Sequence, residues 1–284
     1  MDLSKIYPPR PDWAHKGNYG SLLVVAGSKF YSGSATLASV SAVRAGCDLV
    51  TLAAPARAAD VAANTLPDLI TYPLKGDYLV GRHVAQIMDL AHLRKINSVI
   101  LGCGLGRHAS TLAAIRKLIT KFTVPMVLDA DALLAISQKP EVVNGKHIVL
   151  TPHAGELSIL TRQEKVGADF EVRMAQAKRA AILYKSVVLL KGHIDIITNG
   201  DMAITNNSGS SQMTKGGFGD TLTGVVGALL ARGVGLLESA HVGAYINGRA
   251  GELVSSVLGE GVVASDIFDF IPKVINPNIY SSSP

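Results

Sequence analysis

Between residues 213 and 224 the chain reads Met213-Thr214-Lys215-Gly216-Gly217-Phe218-Gly219-Asp220-Thr221-Leu222-Thr223-Gly224, a glycine-dense run that ends in a carboxylate and leads into apolar sequence. Gly216, Gly217 and Gly219 lack Cβ atoms. Backbone N–H groups there can close on an anion, and the positive end of a following helix adds to the attraction. The pattern is that of a phosphate cradle. Asp220 stands where it either caps the helix or accepts the proton of a hydroxyl attacking a phosphorus atom held by those amides. An unperturbed aspartate, with a pKa of about 3.9, would be ionised for that role at neutral pH.

Other polar clusters follow short apolar runs. Gly102-Cys103-Gly104-Leu105-Gly106 is glycine-rich but departs from the dinucleotide fingerprint, because its third glycine comes one position early. It reads either as a ligand-facing loop or as a tight turn. In Asp129-Ala130-Asp131 two carboxylates can orient magnesium or a bound water. In Thr151-Pro152-His153-Ala154-Gly155-Glu156 a histidine can hydrogen-bond a ligand, and capping by Asp131 and Glu156 is the structural alternative for both segments. Lys191, in Leu190-Lys191-Gly192-His193-Ile194-Asp195, is placed either for a phosphate or as a solvated lysine. Gly27-Ser28 through Gly33-Ser34-Ala35 opens a small-residue helix that suits close approach of a ligand or of another helix. No Cys/His spacing typical of a metal site occurs.

Elements able to position these groups are visible in the same sequence. Leu22–Val25, Leu49–Leu52, Ser98–Leu101, Met126–Leu128, His147–Leu150 and Val187–Leu190 are continuously apolar, as in parallel strands buried on both faces. Helical segments are expected from Ser34 to Ala45, Thr111 to Thr120, Asp169 to Tyr184 and Thr221 to Arg232, with Gly46 and Gly233 closing two of them. Ile194–Thr198 and Met202–Thr205, separated by Asn199-Gly200-Asp201, read as a hairpin at an antiparallel edge. Strand and helix units in alternation predict an α/β three-layer or doubly wound domain, with ligands at the carboxyl ends of the strands.

The chain has 284 residues, 48% hydrophobic and 17% charged, enough apolar sequence for a large core. No linker divides it, so a single domain over residues 1–284 is expected. The net charge of +5 suits an anionic ligand, but the basic residues are scattered and aromatics make up 5%, which disfavours a nucleic-acid surface. The two cysteines, Cys47 and Cys103, are too few for a disulfide framework. No signal-like or membrane-length apolar run is present, and a cytoplasmic location is expected. Small residues on the helices from Ser34 and Leu236 would permit subunit packing in a homo-oligomer. The Ser281-Ser282-Ser283-Pro284 ending suggests fraying.

Taken together, His15-Lys16-Gly17-x-x-Gly20-Ser21, Gly27-Ser28 to Ala35, Gly104-Leu105-Gly106, Asp129-Ala130-Asp131-Ala132-Leu133, Thr151 to Glu156, Leu190-Lys191-Gly192 and Gly216 to Asp220 resemble, in this order, the motifs of the NAD(P)H-hydrate dehydratase family. The resemblance covers about residues 15 to 270. It implies a ribokinase-like three-layer sandwich and the repair of hydrated NADH or NADPH at the expense of ADP or ATP. The hydrate's hydroxyl would be phosphorylated and phosphate then eliminated. Alternatives from the same cradle are a kinase of a small alcohol or vitamin precursor, and a nucleotide-binding module without turnover.

Carried over position by position, the resemblance implies that Asp220 is the catalytic base and that Gly33, Ser34, Gly104, His153 and Asp220 bind the hydrated cofactor. Lys191, Gly192, His193, Ile194, Asp195, Gly216, Gly217, Phe218 and Gly219 would bind the adenine nucleotide. Mg2+ would ride on the phosphates with few protein ligands, and no metal residue is named. Three positions depart from the family pattern. Phe218 replaces a small or hydroxyl residue, Lys215 adds a cation before the glycines, and Leu134 stands where Asn is frequent. The motifs begin by residue 15, so the N-terminal epimerase domain of many relatives is expected to be absent.

Overall fold

The computed structural model describes residues 1–162 and 166–276, and the expected fraying at Ser281–Pro284 lies outside them. In chain order the elements begin β1 (Ser21–Val25), α1 (Ser32–Arg44), β2 (Leu49–Pro55), α2 (Ala56–Thr65), β3 (Ile70–Leu74), α3 (His83–Leu93) and β4 (Ser98–Leu101). Next come α4 (Ala109–Lys121), β5 (Met126–Leu128), α5 (Asp131–Gln138), β6 (Ile148–Leu150), α6 (Ala154–Thr161), α7 (Phe170–Tyr184) and β7 (Val187–Leu190). The last are β8 (Asp195–Thr198), β9 (Ala203–Asn206), α8 (Phe218–Ala231), α9 (Leu236–Leu258) and α10 (Ile271–Ile275).

The strands form one nine-stranded sheet in the order β3-β2-β1-β4-β5-β6-β7-β8-β9. Strands β1 to β7 are parallel, and β8 and β9 add the antiparallel hairpin at the edge. Continuous apolar strands have this consequence because side chains alternate between two covered faces. Leu22 and Val24 face a core shared with α1, α8 and α9, whereas Leu23 and Val25 face a core shared with α3, α4 and α5. Strand β3 was not legible: it is a half-buried edge interrupted by Pro73, without the apolar run that marks the interior strands.

Chain order reverses across the sheet between β1 and β4, the topological switch point at which α/β proteins open a ligand crevice. The loops after these strands are joined there, Gly27 N donating to Cys103 O at 2.7 Å. Register places Leu101 beside Leu128, Leu128 beside Leu150 and Leu150 beside Val188. Asp129, Thr151 and Lys191 therefore emerge along one edge.

Helix α8 is buried on almost every side and wedged between α1 and α9. A Cβ on Gly224 would strike Ala38 O of α1, and one on Gly243 of α9 would strike Val226. Small residues of these helices thus allow close packing inside the chain at α1–α8 and α8–α9. Among the described residues no helix is long and apolar enough to cross a membrane.

Candidate active site

Helix α8 starts three residues earlier than the sequence suggests, at Phe218, with Gly217 as its N-cap at φ +104°. A left-handed cap is natural for glycine, and here a Cβ would also meet Leu37 and Ala264. Asp220 is consequently in the first turn and does not cap the helix, since no side chain does. The start of α8 is steadied from α9: Asn247 Oδ1 accepts from Thr221 Oγ1 at 2.9 Å, and Asn247 Nδ2 donates to Phe218 O. Gly216 is exposed with open space around it, and Gly219 faces Lys191. Gly216, Gly217 and Gly219, expected to form a phosphate cradle, thus lie at the N-terminus of a helix.

Phe218 differs from expectation. Its side chain is 4% exposed and belongs to the core with Leu222 and Val225, so only its backbone is available to a nucleotide. Lys215 does not supply the cradle with a cation. Its Nζ is held by Glu260 O and Val262 O, the latter at 2.8 Å, which ties down the segment after α9.

The cation of the site is Lys191. Far from being a solvated lysine, it donates to Asp129 Oδ1 at 3.0 Å and lies 3.8 Å from Glu156 Oε2. Burial works to depress its pKa, but Asp129 and Glu156 outweigh it and hold the ammonium at about 12. Asp129 is itself buried and also accepts from Thr151 Oγ1 at 2.8 Å. A Cβ on Gly102, where φ is +136°, would collide with Asp129 O, so glycine lets the β4 and β5 loops meet.

Asp220 lies in the same pocket. Its carboxylate, the Asp129 carboxylate and Cys103 Sγ all approach within 4.8 Å of one another. Ser34 and Cys103 hydrogen-bond Asp220, yet burial, with the Asp129 charge behind it, pushes its pKa up to about 7. The ordinary value expected from sequence is therefore wrong for this aspartate. Burial and the two carboxylates also push the Cys103 thiol well up, so it stays protonated and is no thiolate ligand. Its Sγ lies 3.8 Å from Asp129 Oδ2, and one S–H serves only one of the two acids at a time.

Asp131 does not join Asp129. It accepts from Gly106 N at 2.7 Å and pairs with Arg107 at 3.3 Å, so the two acids expected to share a cation or water point apart. His153 caps α6. Its Nδ1 accepts from Gly155 N at 3.0 Å and Glu156 N at 3.2 Å, while Glu156 Oε2 accepts from His153 N at 2.8 Å. Sequence assigned the capping to Glu156 alone, whereas the box is reciprocal. His153 Nε2, the ring nitrogen outside the cap, lies 3.5 Å from Glu156 Oε2.

On the β1 side, Gly33 is exposed in the first turn of α1 with no atom near its missing Cβ, and Gly104 packs against Ser34 and Tyr31. Ser34, Gly104 and Asp220 are thus brought together. On the β7 side Gly192, His193 and Ile194 form the loop before β8. The Asp195 carboxylate fastens that loop by accepting from Gly192 N at 3.0 Å and Asn206 Nδ2 at 2.9 Å. Arg173 of α7 donates to Lys191 O at 3.1 Å. Arg173, Asn206 and Asn247 were missed by sequence reasoning, because isolated polar residues on a helix or strand carry no local signal of a distant partner.

A nine-stranded, mostly parallel sheet with a switch-point crevice and a glycine-capped helix beside it is a ribokinase-like fold. The fold is shared with ribokinase from Thermotoga maritima, at TM-score 0.53 and 13% identity over 89% of this chain and 99% of that one. The sequence profile of the NAD(P)H-hydrate dehydratase family matches residues 22–273, and the chain belongs to that family.

Its relatives include the bifunctional NAD(P)H-hydrate repair enzyme of Methanothermobacter thermautotrophicus, 38% identical over 98% of this chain and 54% of the relative. The ADP-dependent (S)-NAD(P)H-hydrate dehydratase of Cenarchaeum symbiosum is 36% identical over 97% of this chain and 95% of the relative. The chain spans about half the length of the bifunctional relatives. The Bacillus subtilis ADP/ATP-dependent NAD(P)H-hydrate dehydratase co-crystallized with ATP/Mg2+ superposes at TM-score 0.78, with 26% identity over 97% of this chain and 95% of that one.

Proposed function

We propose that this chain returns hydrated NADH and NADPH to the reduced cofactor, using ADP or ATP as phosphoryl donor. The observation that carries this reading is the position of Asp220. It has Ser34 and Cys103 as hydrogen-bond partners and shares its turn of α8 with Gly219, which faces Lys191. An acceptor carboxylate thus lies between a pocket for a hydroxylated ring and a cradle for phosphate.

In the first step the hydroxyl oxygen of the hydrate attacks the terminal phosphorus. The P–O bond to the nucleotide breaks, leaving AMP from ADP or ADP from ATP, and Asp220 takes the hydroxyl proton. A carboxyl pKa of about 7 matches that task, because a base is most effective when its pKa lies near the working pH. N–H groups at the start of α8 and the Lys191 ammonium offset charge on the transferring group. In the second step the ring nitrogen pushes its electron pair toward the ring, the C–O bond breaks, and phosphate departs with that bond's electrons. Loss of a proton from the adjacent ring carbon restores the double bond.

Gly33, Ser34, Gly104 and His153 Nε2 would contact the hydrated ring and its dinucleotide, and the Lys191–Asp195 loop would contact the adenine nucleotide. Mg2+ fits as a companion of the phosphates, since Asp129 is already occupied by Lys191 and Thr151. When bound, the ion neutralises phosphate charge. Cytoplasm is the compartment inferred from two free, buried cysteines.

The test is to mix the protein with enzymatically hydrated NADH and with ADP or ATP. Recovery of reduced-nicotinamide absorbance is expected with at least one nucleotide. No recovery with either, or release of a stable phosphorylated alcohol, would overturn the proposal.

A further inference from the structure

Helix α8 carries Asp220 in its first turn and Arg232 at its C-terminal cap, ~18 Å apart at the rise of an α-helix. At the Arg232 end is a second cavity of about 380 Å³, lined by Tyr7, Pro9, Arg10, Arg44, Arg232 and Asn276 among others. That volume is within the range of small-molecule sites. It lies beneath the amino-terminal ends of the strands, away from every group in the proposed reaction.

Its charge is arranged unusually. Arg10 and Arg232 both donate to one carbonyl oxygen, Gly46 O, at 3.2 and 3.0 Å. Arg10 has a carboxylate partner, Asp48 Oδ1 at 2.8 Å, and Arg44 has Asp269 at 3.1 Å. Among the described residues Arg232 has none: its second terminal nitrogen goes to Ile6 O at 2.9 Å, and its Nε is buried without a partner. The other oxygen of Asp48 is already used by Gly17 N and Tyr19 N. Carbonyls at the ends of α1 and α8 favour a cation at Arg44 and at Arg232. Arg10, from a separate segment, is brought onto the same acceptor as Arg232 by Asp48 and the Tyr19 ring. Aromatic faces hold both groups in place, with Arg10 3.9 Å from the Tyr19 ring centre and Arg232 4.6 Å from that of Tyr7. Pre-positioned guanidinium forks match oxyanions well.

We propose that this cavity is a second binding site, taking a small molecule with two or more oxyanion groups through Arg10, Arg44 and Arg232. Such groups occur in phosphorylated and in polycarboxylated metabolites, so pyrophosphate and citrate serve as separate probes.

Each probe is titrated calorimetrically, at fixed ionic strength, into the intact protein and into two variants. Arg10→Gln/Arg44→Gln alters side chains that are 48% and 42% exposed, and Lys191→Met disables the phosphate cradle. Thermal melts confirm folding of each. The expected result is a saturable site that survives Lys191→Met and is weakened at least about tenfold in the double arginine variant, as loss of paired charge-assisted bonds requires. Pyrophosphate dependence assigns phosphate, and citrate dependence assigns carboxylate. Absence of binding by both probes, indifference to the arginine changes, or complete loss in Lys191→Met would overturn the proposal.

Discussion

The ammonium group of Lys191 lies 3.3 Å from the point where a Cβ on Gly219 would stand. The carboxyl end of β7 and the first turn of α8 are thereby joined by one cation, and the space between them is what a phosphoryl group would occupy. Gly219→Ala should fill that space while leaving the fold intact, because the atom it meets is the end of a flexible side chain. A melting temperature close to wild type is expected, together with nucleotide binding weakened about tenfold or more, the scale of one charge-assisted contact. Unchanged nucleotide affinity by calorimetry would show that the cradle is elsewhere.

Asp220→Asn separates binding from turnover. It should keep nucleotide affinity within about threefold and lower kcat by about a thousandfold, the scale of a lost general base. Stability should move the other way. The folded-state pKa is raised to about 7 by burial and then by Asp129, so the folded state binds this proton more tightly than the unfolded chain does. The contribution is full at low pH and is lost as pH rises from about 4 to about 7. Above that window the buried carboxylate destabilises the fold, and Asp220→Asn should be more stable than wild type by on the order of 2 kcal/mol at about pH 8. Equal melting temperatures at both ends of the window would contradict the raised pKa.

Asp129→Asn removes the neighbouring negative charge that, after burial, does most to raise Asp220. The acid limb of the activity profile, which reports ionisation of Asp220, should move to lower pH by about one unit. The variant should also lose about 2–4 kcal/mol, because Lys191 keeps only Glu156, at 3.8 Å. A structural role alone would lower stability without moving the pH profile, and the two measurements distinguish these cases.

Much of this site was legible because its residues directly follow apolar strands. Leu128 before Asp129, Leu150 before Thr151 and Leu190 before Lys191 announce a shared edge once the strands are parallel. What the side chains do there was less legible. Asp129 and Asp131 are two residues apart, yet one starts helix α5 and turns to Gly106 and Arg107, while the other stays in the loop and turns to Lys191. The direction of Lys215 depends on Glu260 and Val262, more than forty positions away. The ionisation of Asp220 depends on burial created by β1, β4 and α8 together. Local pattern specifies elements and their ends, whereas these three outcomes are set by how segments distant in sequence pack together.

His153 offers the sharpest division between a structural and a functional role, because its two ring nitrogens are differently placed. Nδ1 accepts from Gly155 N and Glu156 N as the cap of α6, which leaves the ring hydrogen on Nε2. His153→Ala should lose the side-chain half of the cap, at a cost of about 1 kcal/mol, while the backbone N–H at 153 still donates to Glu156 Oε2. His153→Asn can restore the cap through its side-chain oxygen but cannot reproduce the reach of Nε2. If that nitrogen contacts the hydrated cofactor, the asparagine variant should melt close to wild type, while KM for the hydrate rises about fivefold or more and kcat changes less, as for loss of a contact made equally in ground and transition states. If KM returns to the wild-type value along with the melting temperature, His153 acts solely as a cap, and the assignment of Nε2 to the substrate fails.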